Sequence, residues 1–214
     1  MRSKFDEQLR NLNDEMIQMG TMIEENIQEA IDALVKADVE KAREIMDKDS
    51  LIDQKQRDIE SICFNLLIQQ QPVAKDLRAI TAAMKMVTDM ERIGDHASDI
   101  SEITIMLSDA DKTGSYDTII EMASEASVML IESIDAFTEK NAEKAKNVIE
   151  HDDVVDDLFC KVKDELIELI KSDPKRGEQE IDMLMIAKYL ERIGDHATNI
   201  AEWVIYSLDN RIKK

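Results

Sequence analysis

The sequence predicts an all-α fold of two tandem three-helix bundles, built from long antiparallel helices. The first observation is that 214 residues include only 5 Gly and 2 Pro, too few for the turns of a sandwich or barrel. The second is the abundance of Ala, Glu, Lys, Leu, Met, Gln and Ile, which favour helices. The third is an internal repeat, which divides the chain into bundles at residues 1–110 and 115–214.

Two pairs of segments reveal this repeat. Residues 31–53, IDALVKADVEKAREIMDKDSLID, match residues 134–156, IDAFTEKNAEKAKNVIEHDDVVD, at an offset of 103. Residues 90–100, MERIGDHASDI, match residues 190–200, LERIGDHATNI, at an offset of 100 and with eight identical positions. The chain therefore contains two copies of one unit, and the second copy has lost three residues between the two segments.

Capping and helix-breaking residues divide each copy into three helices. Asp38 and Asn141 are expected to cap the second helix of each copy, and Ser115 to cap the fourth helix of the chain. Pro72 and Pro174 separate the second helix from the third, because proline is tolerated only in the first turn of a helix. At 1.5 Å per residue a long helix of this kind spans roughly 45 Å, which suits an elongated bundle. The predicted helices are 4–37, 39–70, 73–108, 116–139, 142–171 and 176–211.

The formal net charge of -20 excludes several functions. It opposes binding to nucleic acid or to an anionic membrane surface. No segment approaches the ~20 apolar residues that span a bilayer, and the N-terminus lacks the apolar core of a secretory signal. We therefore expect a cytoplasmic protein with no nucleic-acid partner and no direct membrane insertion. Cys63 and Cys160 lie in helical segments without a CxxC motif, so we expect them to be buried, reduced thiols.

Acidic side chains recur on one face of the third helix of each copy. Their spacing of 4, 4 and 3 places four residues within an arc of 80°. The acids are Glu91, Asp95, Asp99 and Glu102 in the first copy, and the matching positions of the second copy hold Glu191, Asp195, Asn199 and Glu202. The same arc continues an apolar seam formed by Val73, Leu77, Ile80, Met84 and Val87. The second helix of each copy carries a further pair of acids, Asp49 with Asp53 and Asp152 with Asp156.

The helix pairing brings these acids to the same level. In an antiparallel pair, residues whose numbers share one sum lie opposite each other. The level pairs are Asp53 with Glu91, Asp49 with Asp95, Asp156 with Glu191 and Asp152 with Asp195. Four carboxylates should therefore converge in each copy, where a hard cation such as iron, manganese, magnesium or calcium would relieve their repulsion. The alternative is a solvated acidic face without metal.

Glycine and histidine accompany the acids in both copies. Gly94 and Gly194 lie within the third helices, at a cost of about 1 kcal/mol relative to alanine, and allow a backbone or a bulky ligand to approach closely. His96 and His196 lie about 100° around the helix from the preceding aspartates. This direction favours a supporting or packing role for the histidines over metal ligation.

The doubled ERIGDH motif, each copy paired with an upstream D-x-x-x-D, resembles the PhoU family of phosphate-signalling regulators. The resemblance extends over nearly the whole chain. It implies a pair of three-helix bundles, a homodimer and multinuclear metal clusters, with iron as the expected metal and zinc, manganese, magnesium or calcium as alternatives. The implied metal ligands are Asp49, Asp53, Glu91, Asp95 and Asp99 in the first copy, and Asp152, Asp156, Glu191, Asp195 and Asn199 in the second. Asn199 departs from an acidic ligand and leaves the nuclearity of the second cluster open.

By resemblance, the protein is a cytoplasmic negative regulator of phosphate uptake and of the phosphate-starvation response, and it is not an enzyme. Its implied partners are the ATPase subunit of the phosphate ABC transporter and a sensor histidine kinase. Two alternatives are a metal-free helical scaffold that docks a basic partner, and a carboxylate-bridged di-metal enzyme. The enzyme is disfavoured, because ferritin-like di-iron bundles usually carry E-x-x-H on two helices, and neither Glu91 nor Glu191 has a histidine three residues later.

Overall fold

The computed structural model describes residues 2–69, 72–109 and 116–209, which form six α-helices and, within those ranges, no β-strand. The helices are α1 (Arg2–Lys36), α2 (Val39–Gln69), α3 (Ala74–Met106), α4 (Asp117–Glu139), α5 (Ala142–Ser172) and α6 (Gly177–Leu208). Short 3-10 helices at Leu107–Asp109 and Pro174–Arg176 extend α3 and precede α6. The predicted all-α fold of two three-helix bundles is confirmed, with helix ends within a few residues of those expected.

The capping residues act as the sequence predicts. The Asp38 side chain accepts a hydrogen bond of 3.0 Å from the backbone N–H of Lys41. The Asn141 side chain accepts bonds of 3.1 Å from the N–H groups of Glu143 and Lys144. Because these groups have no partner inside the helix, the caps fix the starts of α2 and α5. Ser115, the predicted cap of α4, lies outside the described residues.

The two repeats pack side by side. Within each repeat the three helices contact one another, and between the repeats α3 packs against α6 and α1 against α4. Helices α1, α3, α4 and α6 are therefore central, and α2 and α5 flank them. The buried apolar side chains of both repeats form one continuous cluster. Because the two cores are joined, the division into domains at residues 1–110 and 115–214 stays a prediction.

The structure gives the two cysteines different surroundings. Both are free thiols, and Cys63 is buried as expected. Burial raises the pKa of Cys63 to about 12, so its thiol stays protonated. The expectation of burial is wrong for Cys160, which is exposed because it lies on the outer side of the flanking helix α5.

The length and apolar content of a helix decide whether it can span a membrane. None of the described helices is long and apolar enough to cross a bilayer.

Candidate functional site

Glycine allows α2 to approach α3 beside the acidic residues. A Cβ atom at Gly94 would lie 2.9 Å from Cδ1 and 3.0 Å from Cγ2 of the buried Ile52. In the second repeat, a Cβ atom at Gly194 would lie 3.2 Å from the Asp152 carboxylate and 3.4 Å from Val155. The predicted close approach at these glycines is therefore made by the neighbouring helix of the same repeat, which carries the aspartate pair.

This approach brings three predicted ligands of the first repeat together. Asp53 of α2 and Glu91 and Asp95 of α3 each offer a carboxylate oxygen, and the three oxygens lie within 4.8 Å of one another. All three residues are half-buried. Asp49 lies beside them, near enough for Asp95, Asp53 and Asp99 to affect its ionisation. Oxygen atoms at these separations fit the ligand shell of one hard cation.

The carboxylates of the first repeat are held in an environment that opposes their ionisation. Burial raises the pKa of Asp49, and the neighbouring Asp95, Asp53 and Asp99 raise it further. Burial and then Asp95 raise the pKa of Glu91, whereas Arg92 lowers it. A bound cation would remove this repulsion, since it favours the charged form of every carboxylate around it.

Basic side chains already neutralise part of this negative charge. Arg92 lies 3.1 Å from the carboxylate of Asp95 and 3.5 Å from that of Glu91. Arg57 lies 3.5 Å from Asp53. These pairs are partly exposed and contribute little to stability, so a cation could displace them at low cost.

The second repeat gathers a similar set of acids with a different balance of charge. Burial, followed by Asp156, Asp195 and Glu191, raises the pKa of Asp152 to about 6. Lys188 forms an ion pair with Glu191. Within the described ranges, three ligand atoms as close as those of Asp53, Glu91 and Asp95 occur in the first repeat alone. The carboxylate oxygens of the second repeat are therefore more widely spaced than those of the first.

Two predicted metal ligands, Asp99 and Asn199, form contacts with side chains that are not predicted ligands. Asp99 lies 3.2 Å from Nδ1 of His96. The side-chain amide of Asn199 donates a hydrogen bond of 3.3 Å to the carboxylate of Asp89, on α3 of the other repeat. Asp99 remains near Asp49, whereas Asn199 bridges the repeats in this structure.

The histidines of the two motifs meet where α3 packs against α6. Their rings lie 5.7 Å apart between centroids, and Tyr189 stacks on His96 at 5.3 Å. Nδ1 of His196 lies 2.9 Å from Asp89. These contacts place both histidines in packing positions between the repeats, and their supporting role beside a metal stays a prediction. The contacts are reciprocal: each histidine meets the residue one position before the matched segment of the other repeat, Asp89 or Tyr189.

Asp89 and Tyr189 are not among the residues that the sequence pattern predicts to be functional. The available signal was their equivalence at the offset of 100, one residue upstream of the eight-identity match. The two histidines and the acids of the first repeat border a cleft of about 500 Å³ at the junction of the repeats. The cleft is lined by Asp49, Arg92, Asp95, His96, Ser98, Asp99, Arg192 and His196.

We expect replacement of Gly94 by valine to lower the free energy of unfolding by about 1–3 kcal/mol, because the branched side chain would overlap Ile52. Urea denaturation would measure this loss. Gly177, where an added Cβ meets nothing within 4 Å, supplies the control Gly177→Ala. Equal stability of Gly94→Val and the parent chain would show that α2 and α3 need no close approach there.

Comparison with known proteins connects this architecture to a family. The family model described as the PhoU domain matches the chain twice, over residues 16–104 and 119–204. A relative from Clostridium acetobutylicum is 38% identical over 211 residues, which cover 98% of this chain and 96% of that protein. It is named a phosphate-specific transport system accessory protein PhoU homolog.

Solved structures agree in fold. The crystal structure of PhoU from Pseudomonas aeruginosa matches with a TM-score of 0.88 and 34% identity, covering 95% of this chain and 98% of that chain. The phosphate transport system regulatory protein PhoU from Streptococcus pneumoniae matches with a TM-score of 0.87 and 29% identity, covering 98% and 99%. The names describe accessory or regulatory proteins, and none of them names an enzyme. Because the family model matches both repeats and whole-length relatives exceed 30% identity, this chain belongs to the PhoU family.

Proposed function

We propose that this protein is a regulatory accessory protein of phosphate transport and acts by binding other proteins. The observation that carries the proposal is the family match in both repeats, together with whole-length relatives named as phosphate-specific transport system accessory proteins. Those names support a regulator and disfavour the di-metal enzyme. A regulator without catalytic chemistry transmits its signal through binding.

In finer detail, we propose a cytoplasmic homodimer that restrains phosphate uptake and the phosphate-starvation response. Its partners would be the ATPase subunit of the phosphate ABC transporter and a sensor histidine kinase. Long helical faces and a net charge of -20 support docking to helical or basic surfaces of such partners.

We further propose that each repeat binds a multinuclear metal cluster, with iron as the first candidate and zinc, manganese, magnesium or calcium as alternatives. The close oxygens of Asp53, Glu91 and Asp95 support this for the first repeat. In the second repeat, the raised pKa values of Asp152 and Asp195 support it. These residues would hold the metal through their carboxylate oxygens, and the metal would supply positive charge that draws α2 to α3 and α5 to α6.

The metal-free scaffold remains the second candidate, and the ion pairs of Arg92 and Lys188 with predicted ligands favour it. In that case the acidic face would be a docking surface neutralised by its own basic residues. Metal analysis of the purified protein separates the two candidates.

Deletion of the gene should raise phosphate uptake or derepress phosphate-starvation genes, because a restraining partner is lost. Radiolabelled phosphate uptake and reporter expression would measure this. Reintroduction of the parent chain should restore control, and the tagged chain should co-purify with the transporter ATPase or the sensor kinase. A deletion strain with normal uptake and normal expression would refute the regulatory role even though the fold is unchanged.

A further inference from the structure

A groove runs between α1 and α4, on the edge of the four central helices opposite the α3 and α6 contact. Its volume is about 620 Å³, and it lies on neither of the helix pairs, α2 with α3 and α5 with α6, that carry the predicted metal ligands. The groove is lined by Glu24, Glu25, Gln28, Glu29, Ser124, Ser127 and Val128. It is therefore a surface that the proposed metal chemistry does not use.

The two walls of this α1–α4 groove differ in charge. Glu24 and Glu25 on the α1 wall are exposed, and no ion pair to either is found among the described residues. Glu29, further along the wall, pairs with Lys41 at 2.9 Å and Lys48 at 2.6 Å. The α4 wall carries uncharged, small or apolar side chains. At the repeat offset of 103, Ser127 and Val128 stand where α1 has Glu24 and Glu25, so among the residues that line the groove only those of α1 are acidic.

Exposed apolar side chains continue the groove at both ends. Ile17 and Val35 on α1 and Ile120 and Val128 on α4 are 37–43% exposed. The close packing of Gly20 on Ile134 sets an antiparallel register in which Val35 and Ile120 lie level. The stretch from Ile17 to Val35 spans about 27 Å at 1.5 Å per residue, the length of a helix of about 18 residues.

We propose that the α1–α4 groove binds a cationic amphipathic helix of a partner protein. Lysine or arginine side chains of that helix would lie over Glu24 and Glu25, and its apolar side chains would cover Val128 and the small residues of α4. Two antiparallel helices form a cleft into which a third helix can pack, with apolar contacts and charge pairs both contributing to recognition. Here Val128 and the exposed apolar side chains at the ends of the groove would supply the apolar contacts, and Glu24 and Glu25 the charge. The inference rests on the proposed role in binding and adds a surface and a partner chemistry to it.

A fluorescein-labelled synthetic helix of lysine and leucine, with its lysines along one stripe, provides the probe. We expect fluorescence anisotropy to show binding to the full chain that weakens with added salt, since exposed charges are screened. The variant Glu24→Gln/Glu25→Gln should bind at least about fivefold more weakly. The control Glu143→Gln/Asp164→Asn removes the same charge from exposed positions on α5 and should bind like the parent.

A second variant tests the shape of the groove at constant charge. Ser124 is exposed on the α4 wall, so Ser124→Trp should fill the groove without disturbing the core, and circular dichroism would check the fold. Tenfold weaker binding is expected from this steric block. Equal losses in the α5 control, or parent-like binding by Ser124→Trp, would overturn the proposal.

The same variants in the deletion strain separate this inference from the proposed function. If the parent chain restores phosphate control and both groove variants restore it equally well, the proposed binding function of the groove is refuted and the regulatory role stands. If the deletion has no effect, the regulatory role fails whatever the peptide does. If the parent chain restores phosphate control and the groove variants do not, both the binding function of the groove and the regulatory role are supported.

Discussion

If the proposed metal clusters exist, replacing both Glu91 and Asp95 with alanine should abolish metal binding by the first repeat and leave binding by the second intact. The expectation follows from the geometry, because the variant loses two of the three close oxygens, whereas Asp152, Asp156, Glu191 and Asp195 are unchanged. Chains stripped with chelator and reloaded with iron would be compared by elemental analysis. The parent should hold more than a single metal ion, and the variant about half as much.

The matched control removes two acids from the same helices outside the set. Asp58→Ala/Glu102→Ala should retain the full metal content, since both residues lie away from the three close oxygens. Acid should release metal from all three proteins as the ligands become protonated. A parent chain that holds no metal after reloading would exclude the metal clusters and favour the metal-free scaffold.

Replacing Arg176 with methionine should destabilise the protein by about 3–5 kcal/mol, because it leaves a buried carboxylate without its cation. Arg176 lies 2.6 Å from Glu180, and their side chains are only 14% and 2% exposed. Urea denaturation at neutral pH would measure the loss. The double variant Arg176→Met/Glu180→Ile should recover most of it, since the first repeat carries the buried Ile80 at the position equivalent to Glu180.

The same variant should show a characteristic dependence on pH. Burial raises the pKa of Glu180, whereas Arg176 lowers it, so Arg176→Met should raise the pKa further. A raised carboxyl pKa in the folded state stabilises the protein at low pH, and this stability is lost as pH rises through that pKa. Arg176→Met should therefore be closer to the parent in stability at pH ~4 than at pH ~8. A loss independent of pH would mean that the arginine contributes packing alone.

Much of the fold follows from local features of the sequence. Asp38 and Asn141 start helices where they were expected to, because an N-cap acts within a single turn. The pairing of α2 with α3 also follows from a local feature. A connection of a few residues forces the two helices to run antiparallel, and it sets which residues lie opposite each other. The neighbouring positions of Asp53 and Glu91 follow from that pairing.

The contacts between the repeats could not be predicted in the same way. The packing of α3 on α6 joins residues about 100 positions apart, such as Asp89 and His196, and no short connection sets its register. Asn199 could be recognised as a departure from the acidic pattern, but its bond to Asp89 depends on that packing. The exposure of Cys160 likewise depends on which side of α5 faces the core.

The reciprocal contacts of His96 with Tyr189 and of His196 with Asp89 have the form of an isologous dimer interface enclosed in one polypeptide. In an assembly of identical subunits, any substitution at such an interface appears on both sides of the axis at once. A tandem duplication removes that constraint, because each half can change alone. Aspartate on one side and tyrosine on the other are such a change. Fusion thus frees the two acidic sets to acquire different surroundings: the ion pair of Lys188 with Glu191 in the second repeat has no counterpart at the equivalent Thr88 of the first.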